Sequence, residues 1–455
     1  MEADVLARLV DALPEGVVVT GAAEMEKYRE DFARDGSAGT PAAVVRAEDA
    51  AQVQVAVRWA AEHRVPVVPR GAGTGLSGGS SAVEGGITIS LERMRAVEID
   101  QACQVAIVEP GALNVDVKIA AAEHGLWYPP DPSSYEICSI GGNLATNAGG
   151  LCCVKYGVTT DYVLGMDVVL ADGTLVRLGG KQIKDVAGLP LLKLFVGSEG
   201  TLGIITRAVL RLVPVQVAGA TLVSAFPTMT AASRAVVAIR QRVRASMLEL
   251  MDNTAINAVE DWRSHGLDRA TGALLLAQSD ATGAACEAEI EMIRECCERE
   301  GAAAVFTTTD PEEAELFVAA RRNAFLALEQ RGSVLFEDVG VPVPLLPALV
   351  DGVAGIAERC GVEIAVVAHA GDGNTHPLIV YDAADPGSDE RARKAFHEVM
   401  ALAIELGGTI TGEHGVGRAK KPALPDQLGD DVMALTRRIK DALDPDGILN
   451  PGAIL

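Results

Sequence analysis

The sequence predicts an α+β chain of two or three domains. A strand, helix and strand open it from Pro41, two glycine-rich loops interrupt the strands that follow, and after Pro214 apolar strands alternate with amphipathic helices. At 455 residues the chain is long enough for two or three domains and a large buried core.

The elements follow in order. MEADVLARLVDALPEG lacks the basic start and apolar stretch of a cleavable signal and reads as an amphipathic helix. AAVVRA, EDAAQVQVAVRWAAEH and VPVVPR then make a βαβ unit ending in GAGTGLSGG, residues 71–79. A dinucleotide-binding glycine loop would open a helix, whereas here the chain runs on into the strand GGITISL, so an NAD fold is disfavoured. The loop still offers a row of unobstructed backbone N–H groups, as a pyrophosphate requires. The second glycine-rich stretch, WYPPDPSSYEICSIGGNLATNAGG at 127–150, reads as an irregular loop, followed by the strand YVLGMDVVLADG and by LFVGSEGTLGIIT at 194–206. Beyond Pro214, the strands TLVSAF, LLLAQSD and AAAVFTTT are separated by helices such as MTAASRAVVAIRQR, CEAEIEMIRECCERE and PEEAELFVAARRNAFLALEQ, which suits a sheet with helices on one face.

Composition narrows the partners. Thirty-nine basic and 62 acidic residues give a net charge of −23, which argues against binding a phosphate backbone. No apolar run reaches the eighteen or so residues that span a bilayer. A soluble, cytoplasmic protein is the expectation, peripheral to a membrane at most through an acceptor partner. The eight cysteines include two adjacent pairs and no CxxC, so iron–sulfur and zinc-ribbon spacings are absent and reduced thiols are expected.

The densest chemistry lies near the C-terminus. HAGDGNTH, from His369 to His376, and GEHG, with Glu413 and His414, gather three of seven histidines beside a carboxylate. VEIAVVA before the first motif and PLIVY at its end read as strands, so a hairpin can bring His369 and His376 together. Two imidazoles and one carboxylate form an open site for a Zn-like or Mn-like ion. In ELFVAARRNAFLAL, 100° spacing puts Arg321 between Phe317, Ala324 and Leu328, within the apolar stripe. A buried guanidinium needs an anion, either an internal carboxylate or that of a substrate.

Taken together, PRGAGTGLSGG, PPDPSS, SIGGNLATNAGG, KYGVTTDYVLGMDVV, LFVGSEGTLGIIT, HAGDGNTHP, TGEHGVGR and DPDGILNPG resemble the FAD-linked oxidases of the vanillyl-alcohol-oxidase type. Within these the chain looks most like the branch of glycolate-oxidase FAD subunits, D-lactate dehydrogenases and D-2-hydroxyglutarate dehydrogenases. The resemblance implies an α+β fold: a PCMH-type FAD-binding domain of two α+β subdomains over residues 1–215, an α+β substrate cap with an antiparallel sheet over 216–420, and a segment 421–455 returning to the FAD domain.

It also implies site residues. Pro69, Arg70, Gly71, Gly73, Thr74, Gly75 and Leu76 would line the FAD pyrophosphate; Pro130, Asp131, Ser133, Ser139, Gly142, Asn143, Asn147, Gly149 and Gly150 would complete the cradle. Glu199, Gly203 and Ile205 would lie near the adenosine half, with Asn450 closing from the C-terminal side. Thr74 stands where covalently flavinylated relatives place histidine, so non-covalent FAD is expected, with Cys152 and Cys153 the nearest other nucleophiles. His369, His376 and Glu413 would hold Zn or Mn, His414 would take the substrate's hydroxyl proton, and Arg321 would hold its carboxylate. Relatives acting on D-2-hydroxyglutarate carry lysine and threonine where this chain has Phe336 and Phe325, which favours a small or apolar 2-hydroxy acid such as lactate or glycolate. Electrons would pass to a quinone, a carrier protein, a partner subunit or oxygen, and a homodimer is compatible. Two other readings fit less well. A non-redox transferase like alkyl-glycerone-phosphate synthase has a histidine run in place of GEHG, and non-catalytic flavin subunits usually lack HAGDGNTH.

Overall fold

The structure, a computed structural model, describes residues 3–34, 36–216 and 219–455. The chain divides into two compact units, one made of Met1–Gly149, Val158–Val215 and Glu413–Leu455, the other of Gly150–Gly157 and Gln216–Gly412.

In the first unit, strands Ala43–Arg46 and Val67–Arg70 both run parallel to Ile87–Ser90, which lies between them, and Val18–Val19 adds an antiparallel edge. The connecting helix Ala50–His63 starts where the Asp49 side chain accepts from Gln52 N at 2.8 Å. Its buried Val53, Ala56, Val57 and Ala60 fall at i, i+3, i+4 and i+7 and pack on Val45, Val67, Ile87 and Ile89. Each buried valine is worth roughly 1.5–3 kcal/mol. A second, five-stranded antiparallel sheet orders Val97–Asp100, Val105–Val108, Ile204–Arg211, Val163–Val169 and Leu175–Gly179.

SIGGNLATNAGG is not all loop. Residues Ile140–Thr146 form a short helix despite two glycines, because Ser139 Oγ accepts from Gly142 N at 3.3 Å and buried Ile140 and Leu144 anchor one side.

The second unit is built on one antiparallel sheet. Its order is Ala304–Thr308, Ala220–Phe226, Ala273–Ser279, Met247–Asp252, Glu363–His369, Asn374–Tyr381 and Ser333–Phe336, with Val339–Gly340 also pairing with Asn374–Tyr381. Helices Met229–Arg240, Ala284–Arg299 and Leu346–Cys360 share one core with it. The helices are not confined to that face. Asn253–Trp262, Pro311–Arg322 and Ala324–Glu329 contribute to a second core with Met247, Met251, Val367 and Leu378. The strand ALLLAQS shows why: Ala273, Leu275 and Ala277 enter the first core, Leu274 and Leu276 the second, so both faces need apolar residues and alternation is lost.

The expected helix across residues 311–330 is two helices. Asn323, at φ −84° and ψ 0°, separates Pro311–Arg322 from Ala324–Glu329, so one helical wheel cannot be drawn through Arg321 and Leu328.

Candidate active site

The glycine loop after Val67–Arg70 is tied to Ser139. Ala72 N donates to Ser139 Oγ at 3.2 Å. A Cβ on Gly71 would sit 2.2 Å from that same oxygen, and one on Gly73 would sit 2.1 Å from the Arg70 guanidinium. Among the described residues, the amides of Gly73, Thr74, Gly75 and Leu76 donate to no group of the chain. A run of backbone donors not used within the chain fits a diphosphate.

Several expected cradle side chains have internal partners. Arg70 is buried and donates to the carbonyls of Lys27, Glu30 and Ser80 at 3.3, 2.8 and 3.1 Å, so its contribution is to shape the loop. Asn143 Oδ1 accepts from Asn114 at 3.0 Å, Asn147 Oδ1 accepts from Thr160 N at 2.9 Å, and the carbonyl of Pro130 accepts from Asn114 at 3.3 Å. Asn450 donates to the carbonyls of Gly79 and Glu199, each at 2.7 Å, tying the C-terminal segment to both loops. The Glu199 carboxylate accepts from Val416 N at 2.7 Å and Gly417 N at 2.8 Å. Burial pushes its pKa up to about 7, against the pull of those two donors. Gly203 and Ile205 lie at the start of Ile204–Arg211, Gly149 and Gly150 are buried, Asp131 is buried and Ser133 is exposed. Glu413 and His414 open the last segment of this unit, with His414 Nε2 3.8 Å from Glu413 Oε1 and the His414 carbonyl accepting from Ser77 Oγ at 3.2 Å.

In the second unit the hairpin forms where HAGDGNTH predicts it. His369 lies opposite Asn374 and His376 opposite Val367, so the two histidines are diagonal neighbours on one face, ring centroids 5.0 Å apart and nearly perpendicular. Gly373 has φ +84°, and a Cβ there would meet Val341 O at 2.1 Å.

Each histidine is backed by a buried carboxylate. His369 Nδ1 is 2.8 and 3.0 Å from the oxygens of Glu249, which is its partner across the adjacent strand. His376 Nδ1 is 3.6 Å from Asp338 Oδ1. Asp338 Oδ2 accepts from Thr411 Oγ1 at 2.7 Å and from Gly412 N at 2.9 Å, which fixes the backbone one residue before Glu413. Arg321 is 3 % exposed and its Nη2 lies 3.0 Å from Glu249 Oε2, so of the two anions considered from sequence, an internal carboxylate is present. Arg322 is half-buried and 3.9 Å from Glu315. Phe336 stacks on Phe325 at 5.1 Å and meets the His376 ring edge-on at 5.4 Å. Asn374 Oδ1 is a buried acceptor with no partner among the described residues.

Sequence reasoning missed Glu249, Asp338 and Asn374. Glu249 left a signal, a carboxylate in the middle of the apolar strand MLELMD, which needs a partner when buried. Asp338 left none comparable. An imidazole held through Nδ1 by a carboxylate, as His369 is by Glu249, with His376 beside it, fits a Zn-like or Mn-like ion, since that arrangement orients a histidine ligand.

Residues 216–454 match the family model described as "FAD linked oxidases, C-terminal domain", and residues 41–179 match "FAD binding domain". The chain belongs to the FAD-linked oxidases. It is 41 % identical to the glycolate oxidase subunit GlcD of Bacillus subtilis over 90 % of this chain and 88 % of that one. To the D-lactate dehydrogenase of Archaeoglobus fulgidus it is 36 % identical, over 90 % and 91 %. Among solved structures, 4-ethylphenol oxidase from Gulosibacter chungangensis superimposes with a TM-score of 0.81 at 22 % identity, covering 99 % of this chain and 97 % of that one. At that identity the likeness speaks for the fold alone. The FAD-linked oxidase is therefore an FAD-binding oxidoreductase of mixed helix and sheet, and no helix among its described residues is long and apolar enough to cross a membrane.

Proposed function

We propose that this FAD-linked oxidase converts a small or apolar 2-hydroxy acid, of the D-lactate or glycolate class, into the 2-oxo acid. The observation that carries the reading is the carboxylate-backed pair His369 and His376 beside buried Arg321, in a chain whose relatives bear the names glycolate oxidase subunit and D-lactate dehydrogenase. When bound, non-covalent FAD supplies the hydride acceptor and a divalent ion lowers the pKa of the substrate hydroxyl. His369 and His376 would supply the ion's imidazole ligands, and Glu413, which follows Gly412 in the chain, its carboxylate ligand.

The chain's own groups do the rest. Arg321 orients the substrate carboxylate, and the stacked Phe325 and Phe336 face its side chain, where a second carboxylate would find no cation. His414 accepts the hydroxyl proton on an imidazole nitrogen while the carbon gives up its hydride, leaving a C=O bond. The two electrons then leave to a quinone, a carrier protein or a partner subunit, the last supported by the word subunit in the relatives' names.

Anaerobic mixing of the FAD- and metal-replete protein with a panel of 2-hydroxy acids tests the reading. Rapid loss of oxidised-flavin absorbance with D-lactate or glycolate, and little with 2-hydroxyglutarate, is expected. A flavin that no 2-hydroxy acid reduces would end the proposal.

A further inference from the structure

Glu249 does more than fill a strand. It is 1 % exposed in the centre of MLELMD, and its two oxygens receive His369 Nδ1 at 2.8 and 3.0 Å while Oε2 also lies 3.0 Å from Arg321 Nη2. Carboxylate oxygens accept hydrogen bonds, so the Nδ1 that faces both of them is the nitrogen taken up by Glu249, and Nε2 is the ring nitrogen left for a ligand. The cross-strand pairing of Glu249 with His369 sets the ring plane as well, because both side chains rise from the same face.

From this geometry we infer that Glu249 is a positioning residue that serves two groups at once: it fixes the tautomer and orientation of His369 as a metal ligand and holds the head of Arg321 beside it. Asp338 lies behind His376, 3.6 Å from its Nδ1, while the Glu249 carboxylate touches both His369 and Arg321 and so links ligand and anion anchor. The inference rests on the reading of His369 as a ligand given under Proposed function. It adds that the ligand and the arginine are coupled: a change at Glu249 reaches metal affinity and substrate binding together, whereas a change at Arg321 reaches substrate binding alone.

The test is a metal titration of chelator-stripped, FAD-loaded protein with Mn²⁺ and Zn²⁺ against a competing indicator, for wild type, Glu249→Gln and Arg321→Met. Metal affinity should fall about 10–100-fold in Glu249→Gln, the range for losing the partner that orients a ligand, with flavin content unchanged. Arg321→Met should stay near wild type in metal affinity while its KM rises. Wild-type affinity in Glu249→Gln overturns the inference, as does an equal loss in both variants, which would make the pair a structural ion pair only. A second readout does not need metal. The nitrogen-15 spectrum of the metal-free protein should show His369 as the Nδ1–H tautomer in wild type and as a mixture in Glu249→Gln; a mixture in wild type overturns the inference. If wild type binds no divalent ion yet shows the Nδ1–H tautomer, the metal reading fails and the positioning of the ring by Glu249 stands. Should the glutamine variant not fold, Glu249→Asp keeps the charge but withdraws it. Weakened metal with FAD retained is then expected, and wild-type affinity is the contrary result.

Discussion

Arg321 reaches Glu249, the carboxylate behind His369, from the last turn of Pro311–Arg322, and its charge is matched there. If it orients the carboxylate common to all 2-hydroxy acids, Arg321→Met should impair every substrate. The loss should be roughly 2–5 kcal/mol in kcat/KM terms, the range for removing one partner of a buried charge pair. Phe336→Lys should instead change selection, placing a cation where the longer diacid carries its second carboxylate and raising activity on 2-hydroxyglutarate relative to lactate. Steady-state kinetics on the two acids separates these effects. Unchanged efficiency in Arg321→Met on the best substrate would leave the arginine as the counter-ion of Glu249 and nothing more. At this scale the sequence is half legible. HAGDGNTH places its histidines at the two sides of one tight turn, a local pattern, whereas the bond between Glu249 and His369 spans 120 positions and needs the sheet order before it can be seen.

At the scale of elements, what was readable is what local chemistry decides. Asp49 before an apolar i, i+3, i+4 pattern is a helix start wherever it occurs, and Ala50–His63 follows it. What was not readable is what a distant surface decides. Ile140–Thr146 carries two glycines, which cost about 1 kcal/mol each against alanine in a helix, and the Ser139 cap and the buried Ile140 and Leu144 help offset that. The second layer of helices on the cap sheet was hidden for a related reason, since a strand buried on both faces and one at the centre of a helix both read as unbroken apolar runs. The glycine loop shows the tightest tolerance. Gly71→Ala puts a methyl 2.2 Å from Ser139 Oγ, which holds both Ala72 N and Gly142 N. This variant should purify with substoichiometric flavin and take up added FAD weakly, read from the ratio of flavin to protein absorbance. Full flavin content would mean that the loop yields without cost and is not the wall of the cradle.

For the whole molecule, charge and domain division make separate predictions. The net charge of −23 gives no handle for a cofactor diphosphate, which leaves that task to backbone donors such as those of the glycine loop, while the Glu199 carboxylate is held by Val416 N and Gly417 N. Its pKa of about 7 in the fold lies above the 4.5 of an exposed glutamate, so the folded chain keeps a proton that the unfolded chain has lost between those values. Stability should therefore fall as pH rises from 4.5 to 7, by on the order of 3 kcal/mol from this group. Thermal melts of Glu199→Gln should show a lower baseline and a shallower slope in that window; an identical slope would place the pH dependence elsewhere.

The glycine loop with its amides lies in the first unit and His369 and His376 with their carboxylates in the second, while Glu413, the proposed third ligand, begins the last segment of the first. Loss of one ligand should not entail loss of the other. A strong chelator should abolish reduction of the flavin by a 2-hydroxy acid while the protein stays yellow, and added Mn²⁺ or Zn²⁺ should restore it. Replacing His376 by alanine should have the same effect without rescue, because the ring is gone while Asp338 keeps its hold on Thr411 and Gly412. Dithionite should still bleach the flavin in every case, which distinguishes a lost hydride donor from a damaged flavin. A chelated, metal-free protein that turns over at the normal rate would remove the ion from the mechanism, and hydroxyl activation would then fall to His414 alone. Release of FAD by the chelator would instead show that one ligand system depends on the other.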